Sequence, residues 1–237
     1  LALYEGSSAR LLELEQDSDR LATLDAECEQ AMVVAWERAN ALGDIRDAAA
    51  SKLASAVTHE LSALAMPNAS LHVSVSREKT LSSHGANQVS LLLAAHPGAE
   101  PLPLGKGASG GELSRVMLAL EVVVAESDPV PTFVFDEVDA GVGGASALEI
   151  GRRLDALAQT SQVIVVTHLA QVAAFANNHL HVVKDTDGQV TTSSVTRLEG
   201  EERLREIARM LGGMEDSHSA LTHARELLDQ THSVSRR

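Results

Sequence analysis

Thr132-Phe133-Val134-Phe135-Asp136-Glu137 is an apolar run that ends in two acids. A strand of this kind sets carboxylates at the C-terminal edge of a parallel sheet, where α/β folds bind ligands. There Asp136 could hold a magnesium ion through water, and Glu137 could orient or deprotonate an attacking water. Solvated acids at a strand end are also common, so the pair alone decides little. Upstream stands Ala108-Ser109-Gly110-Gly111-Glu112-Leu113-Ser114-Arg115. Two glycines let backbone N–H groups approach an anion, the serine hydroxyl adds a donor, and a helix N-terminus adds positive partial charge. The same residues also spell an ordinary capped helix start, Ser109 as N-cap with Glu112 three residues on. Downstream, Val138-Asp139-Ala140-Gly141-Val142-Gly143-Gly144 is a glycine-rich turn, and Val163-Ile164-Val165-Val166-Thr167-His168 is an apolar run ending in a histidine that could hydrogen-bond a terminal phosphate.

Order and spacing strengthen what each motif leaves open. Ser109 precedes Asp136 by 27 residues and His168 follows Asp136 by 32. An anion loop, a metal-and-base strand and a phosphate-sensing histidine then gather at one sheet edge. The elements that must hold them follow from the patterning. Residues 113–126 and 145–158 read as helices, 132–135 and 163–166 as buried strands. That alternation implies a parallel sheet with helices on its faces. Residues 71–75 and 89–93 read as a hairpin, followed by a Pro/Gly-rich loop over 100–107. Residues 180–183 and 190–195 read as a closing hairpin, and 201–211 and 219–230 as terminal amphipathic helices, Gly212-Gly213 ending the first.

The first quarter of the chain differs. Residues 8–65 hold no proline and one glycine, Gly43, and apolar residues recur at heptad spacing: Leu14, Leu21, Leu24, Cys28, Ala31, Ala35, Leu42, Ile45 and Ala49. Past Ala49 the pattern slips by one residue to Leu53, Val57, Leu61 and Leu64, a local stutter. A straight helix over this stretch would span about 85 Å. A coiled-coil arm over residues 1–66 is favoured over two helices broken at Gly43. Met66-Pro67 ends it, and residues 67–237 form the lobe.

Composition narrows the classes. The net charge is −14, with 33 acids against 19 bases, which repels nucleic acid in bulk and bars a DNA-binding role resting on overall charge. No run of eighteen apolar residues suggests a membrane span. One cysteine, Cys28, excludes an internal disulfide and fits a reducing compartment. The opening Leu1, with no leader after it, reads as an excised piece of a cytosolic protein. His179 and His181 share one side of a strand, but no third metal ligand is placed beside them. Neither Trp36 nor Tyr4 suggests base stacking.

The motif series resembles the ABC ATPases. Ser109-Gly110-Gly111-Glu112 is similar to their signature motif, Thr132 to Glu137 to a Walker B strand, Val138 to Gly141 to a D-loop, and Thr167-His168 to the switch-histidine loop. The coiled coil before the signature resembles SMC and Rad50-type proteins rather than membrane transporters. Nearer still, the signature stretch, Phe135 to Gly144, Val166-Thr167-His168-Leu169-Ala170-Gln171-Val172-Ala173 and Ile207-Ala208-Arg209-Met210-Leu211-Gly212-Gly213 resemble the RecN family of bacterial DNA repair proteins, over about residues 89–230.

This resemblance implies an α/β fold, the C-terminal lobe of an ABC-type ATPase head, preceded by a long helix of an antiparallel coiled coil. It implies ATP and Mg2+ as cofactors, Glu137 and His168 as catalytic residues, and Asp136 as the magnesium-side carboxylate. Ser109, Gly110, Gly111, Glu112 and Asp139 would meet nucleotide. No G-x-x-x-x-G-K-[ST] occurs, and Gly105-Lys106-Gly107 does not supply one. The P-loop is therefore expected from the N-terminal half of the same protein. A second head (as homodimer) and DNA are the other implied partners, and cytoplasmic, nucleoid-associated location is implied with no membrane role. An ABC transporter subunit and a non-catalytic coiled-coil scaffold are the rival readings.

Overall fold

The computed structural model describes residues 2–125, 130–186, 191–212 and 217–234. One helix, α1 (Ala2–Ala63), carries the arm without interruption at Gly43. It ends where its periodicity does: Met66 N–H bonds back to the Leu61 carbonyl at 3.0 Å, Ala65 takes a left-handed φ of 61°, and Pro67 follows. The side chains of Tyr4 and Leu14 lie outside the described residues. Of the expected seam, Leu21, Leu24, Leu42 and Ile45 are exposed, whereas Val57, Leu61 and Leu64 beyond the stutter are wholly buried.

The chain forms two compact units. The first comprises Leu1–Lys52 and Val73–Ser90. In it the outer parts of β1 (Ser70–Ser82) and β2 (Gly85–Ala94) run beside α1. A Cβ on Gly43 would come within 3.0 Å of the Asn87 amide, so the glycine permits close packing rather than a break. The exposed pair Arg77–Asp44, 3.2 Å, lies in the same unit. The hairpin is longer and its turn tighter than the patterning suggests.

The second unit comprises Leu53–His72 and Leu91–Arg237. The end of β2 pairs with β3 (Leu102–Pro103), and α2 (Leu104–Gly107) adds one turn where a loop was expected. Then come α3 (Gly110–Val124), β4 (Thr132–Phe135), α4 (Gly144–Leu157), β5 (Gln162–Val165) and α5 (Ala170–Ala173). Glu126, the expected end of α3, lies outside the described residues. β4 and β5 are parallel, with Thr132 opposite Gln162 and Phe135 opposite Val165. The expectation that both strands are buried fails on one face: Val134 is 67% exposed and its partner Ile164 47%, with Val166 open beside them. β6 (His179–Thr186) and β7 (Thr191–Leu198) form the closing antiparallel hairpin, whose turn at Asp187-Gly188 lies outside the described residues, as does Val190. Two helices, α6 (Gly200–Gly212) and α7 (His218–Val234), finish the unit; Gly213 lies outside the described residues. Their buried Leu204, Ile207, Ala208, Ala224 and Leu227 cluster with Ala170, Ala173 and Ala174 of the α5 segment.

Candidate active site

The anion loop folds as a capped helix start. Ser109 is the N-cap of α3, and the Glu112 carboxylate accepts from the Ser109 N–H at 2.8 Å and from its hydroxyl at 3.0 Å. These bonds, the backbone one first, hold the Glu112 carboxyl below the ordinary carboxylate pKa. The glycines make the site more than a cap. A Cβ on Gly111 would lie 2.9 Å from the Ala140 Cβ and 3.0 Å from the Glu137 carbonyl; one on Gly110 would lie 2.8 Å from Glu137 Oε2. Lacking side chains, they let the N-terminus of α3 lodge against the turn after β4. Ser109 and Gly110 are exposed, whereas Gly111 is buried in that packing.

Two further residues of α3 staple the same turn. Ser114 Oγ donates to the Asp136 carbonyl at 2.8 Å, and Arg115 Nη1 donates to the carbonyls of Ala140 at 2.9 Å and Val138 at 3.4 Å. Arg115 is buried, which pulls its pKa down, while Glu112 and then Asp139 push it back. Its Nη1 thus ties α3 to the backbone of the turn after β4. Arg115 follows the signature-like Ser109-Gly110-Gly111-Glu112 in sequence, but its structural role there is not apparent from spacing alone. The signal was there: a cation on the buried stripe formed by Gly111, Val116, Leu118 and Ala119.

The turn itself separates three acids. Asp136 and Glu137 are exposed beyond β4. Glu137 has φ 57°, a left-handed conformation rare for a residue with a side chain, of the kind that concentrates at functional sites. Val138 and Asp139 turn inward, Asp139 to 1% exposure. Its carboxylate accepts from the Thr167 hydroxyl and from the His168 N–H at 3.2 Å, and lies 3.4 Å from His168 Nδ1. Asp139 thus holds the histidine loop through a buried carboxylate. Val166 N–H donates to the Phe135 carbonyl at 2.9 Å, so Thr167-His168 leave β5 beside the point where Asp136-Glu137 leave β4. The imidazole of His168 is open to solvent.

Every sequence-derived site residue except Ser109 and Glu112, which pair with each other, has a contact or neighbour among these few turns. The open carboxylate of Asp136 suits water-mediated binding of a hard cation, and the exposed Ser109, Gly110, Glu137 and His168 leave the edge accessible. His179 and His181 gain no third ligand: Glu206 is 3.9 Å from His181 but is held by Arg209 at 2.6 and 2.7 Å. No metal-binding group of three such side chains occurs among the described residues.

Parallel strands feeding acids and a histidine to one edge, a serine-capped, glycine-started helix beside them and a long helix in front define the class by fold: an SMC-type head. A solved Smc head domain with coiled coil and joint from Pyrococcus yayanosii has this fold, at TM-score 0.50 and 21% identity, over 69% of this chain and 29% of that one. More particularly, the chain belongs to the family described as the RecF/RecN/SMC N terminal domain, whose model matches residues 47–191. Within it, the chain is 57% identical to the DNA repair protein RecN of Streptomyces coelicolor over 203 residues, 81% of this chain and 36% of that protein. It is 47% identical to RecN of Mycobacterium leprae over 243 residues, 94% and 41% respectively. The chain thus spans about two fifths of the length of these curated relatives. Among the described residues no helix is long and apolar enough to cross a membrane.

Proposed function

We propose that this chain is the C-terminal half of the ATPase head of a RecN-type protein of DNA double-strand break repair, with residues 1–66 as its coiled-coil segment and 67–237 as the lobe. The observation that carries this reading is the convergence of Asp136-Glu137, Thr167-His168 and Gly110-Gly111 around one strand edge, with Asp139 between them. A P-loop from the N-terminal half of the protein would complete the ATP site. Asp136 would hold Mg2+ through water, and the ion would supply charge neutralisation on the phosphates. Glu137 would take a proton from the attacking water, and His168 would hydrogen-bond the γ-phosphate. Ser109 and Gly110 are exposed and would meet the nucleotide of a second head, so ATP would join two heads as a homodimer and hydrolysis would part them. Glu112 would contribute by fixing Ser109, and Asp139 by fixing His168. DNA is the partner on which the cycle would act, in the cytoplasm at the nucleoid.

The test is reconstitution. This chain should show no ATP turnover alone. Mixed with the N-terminal half it should gain hydrolysis and, with ATP, shift to larger size on gel filtration. Turnover by the lone chain that is lost in Glu137→Gln would contradict the half-site reading, and a mixture without turnover would favour the scaffold.

A further inference from the structure

His168 stands two residues before α5, next to its N-cap Leu169; the helix has four residues and the sequence patterning does not reveal it. Such a helix makes about one turn, so its two ends cannot shift independently. Its front end is held through Asp139, as described. Its rear end meets α6 and α7. Arg203 Nη2, from α6, donates toward the carbonyls of Ala173 at 3.4 Å, Ala174 at 3.1 Å and Ala176 at 2.7 Å. Thr231, a buried residue of α7, places its hydroxyl 3.1 Å from the same Ala174 carbonyl. These carbonyls belong to the last residue of α5, its C-cap Ala174 and the turn that follows, where a helix end presents acceptors and negative partial charge. A planar guanidinium with several fixed N–H groups is suited to collect them. Beneath, the small Ala170, Ala173 and Ala174 let α5 sink against Leu204, Ile207 and Ala208. The RecN-like stretch from Ile207 to Gly212, which the ATP site leaves without a task, here forms part of the bed for the histidine segment.

We infer that Arg203 is a positioning residue for His168, fastening from behind the short helix that the histidine loop leads into. The inference rests on the proposed role of His168 at the γ-phosphate. It assigns to the terminal helix pair the task of setting the histidine's place, so that loss of the clamp slows the chemical step without loosening nucleotide.

In the full-length protein, Arg203→Met should lower kcat for ATP by about tenfold while nucleotide affinity stays within about twofold. Arg203→Lys keeps the charge with fewer fixed donors and should recover part of the rate; it also carries the test if the methionine variant does not fold. The double variant Arg203→Met/His168→Ala should be no slower than His168→Ala by more than about twofold, because both remove the same contribution. Amide hydrogen exchange across residues 169–176 should speed up in Arg203→Met. Losses that multiply in the double variant would overturn the inference, as would unchanged exchange across that segment. A wild-type rate in His168→Ala would instead refute the role proposed for His168. The clamp would then be upheld by faster exchange in Arg203→Met or overturned by unchanged exchange.

Discussion

The helix start at Ser109 and the histidine segment after β5 are both held by a carboxylate, in opposite ways. Glu112 reaches three residues back to Ser109 and closes a capping box that is complete within one turn. Asp139 reaches 28 residues forward to Thr167, and the far end of that segment depends on Arg203 and Thr231. The first carboxylate is partly exposed and the second is buried. A feature built from local bonds is robust and cheap to lose, whereas one assembled from distant parts of the chain fails as a whole when one partner is removed.

Substitution should expose this asymmetry most strongly at Asp139. Asp139→Leu leaves the Thr167 hydroxyl and the His168 N–H without their acceptor, and Arg115 without its nearby buried anion. A loss of about 3 kcal/mol in local stability is expected, roughly a hundredfold faster amide exchange over residues 166–170. Asp139→Asn, which keeps an acceptor oxygen, should lose about half as much. Equal exchange in wild type and Asp139→Leu would mean that the loop is held by something else.

A smaller effect is expected at the helix start. Ser109→Ala should cost about 1 kcal/mol, confined to the first turn of α3. Glu112 adds a pH signature. Its pKa is lowered on folding, so its stabilisation is fully present above the ordinary value of 4.5 and is lost as pH falls below it. Removing Ser109 Oγ should weaken that acid dependence, while the helix start at neutral pH loses only the cap. If the wild-type and Ser109→Ala chains lose stability identically between neutral pH and pH 3, the capping box contributes nothing measurable.

The same division explains what could be read without coordinates. The capping box, the parallel pair β4–β5 and the run of α1 through Gly43 each rest on short spacing or on period, and these are visible in residue types. The openness of Val134 and Ile164 was not, because an apolar strand reads alike whether or not anything covers it. Nor was the direction of the third acid: Asp136, Glu137 and Asp139 look equivalent on paper, and only the left-handed turn at Glu137 sends Asp139 inward. α5 escaped because four residues are too few to show a period, and Arg203 because its acceptors lie 27 to 30 residues away.

Glu137 offers the most direct test of the ATPase reading as a whole. In the full-length protein, ATP hydrolysis and dimer mass should be measured on the same sample of Glu137→Gln. The substitution removes the proposed base but leaves Asp136, the Ser109-capped helix and His168 in place. Hydrolysis should fall by at least about a hundredfold while ATP binding persists and the ATP-dependent dimer accumulates. Hydrolysis at the wild-type rate would show that Glu137 is not the base and would contradict the chemistry assigned to this sheet edge.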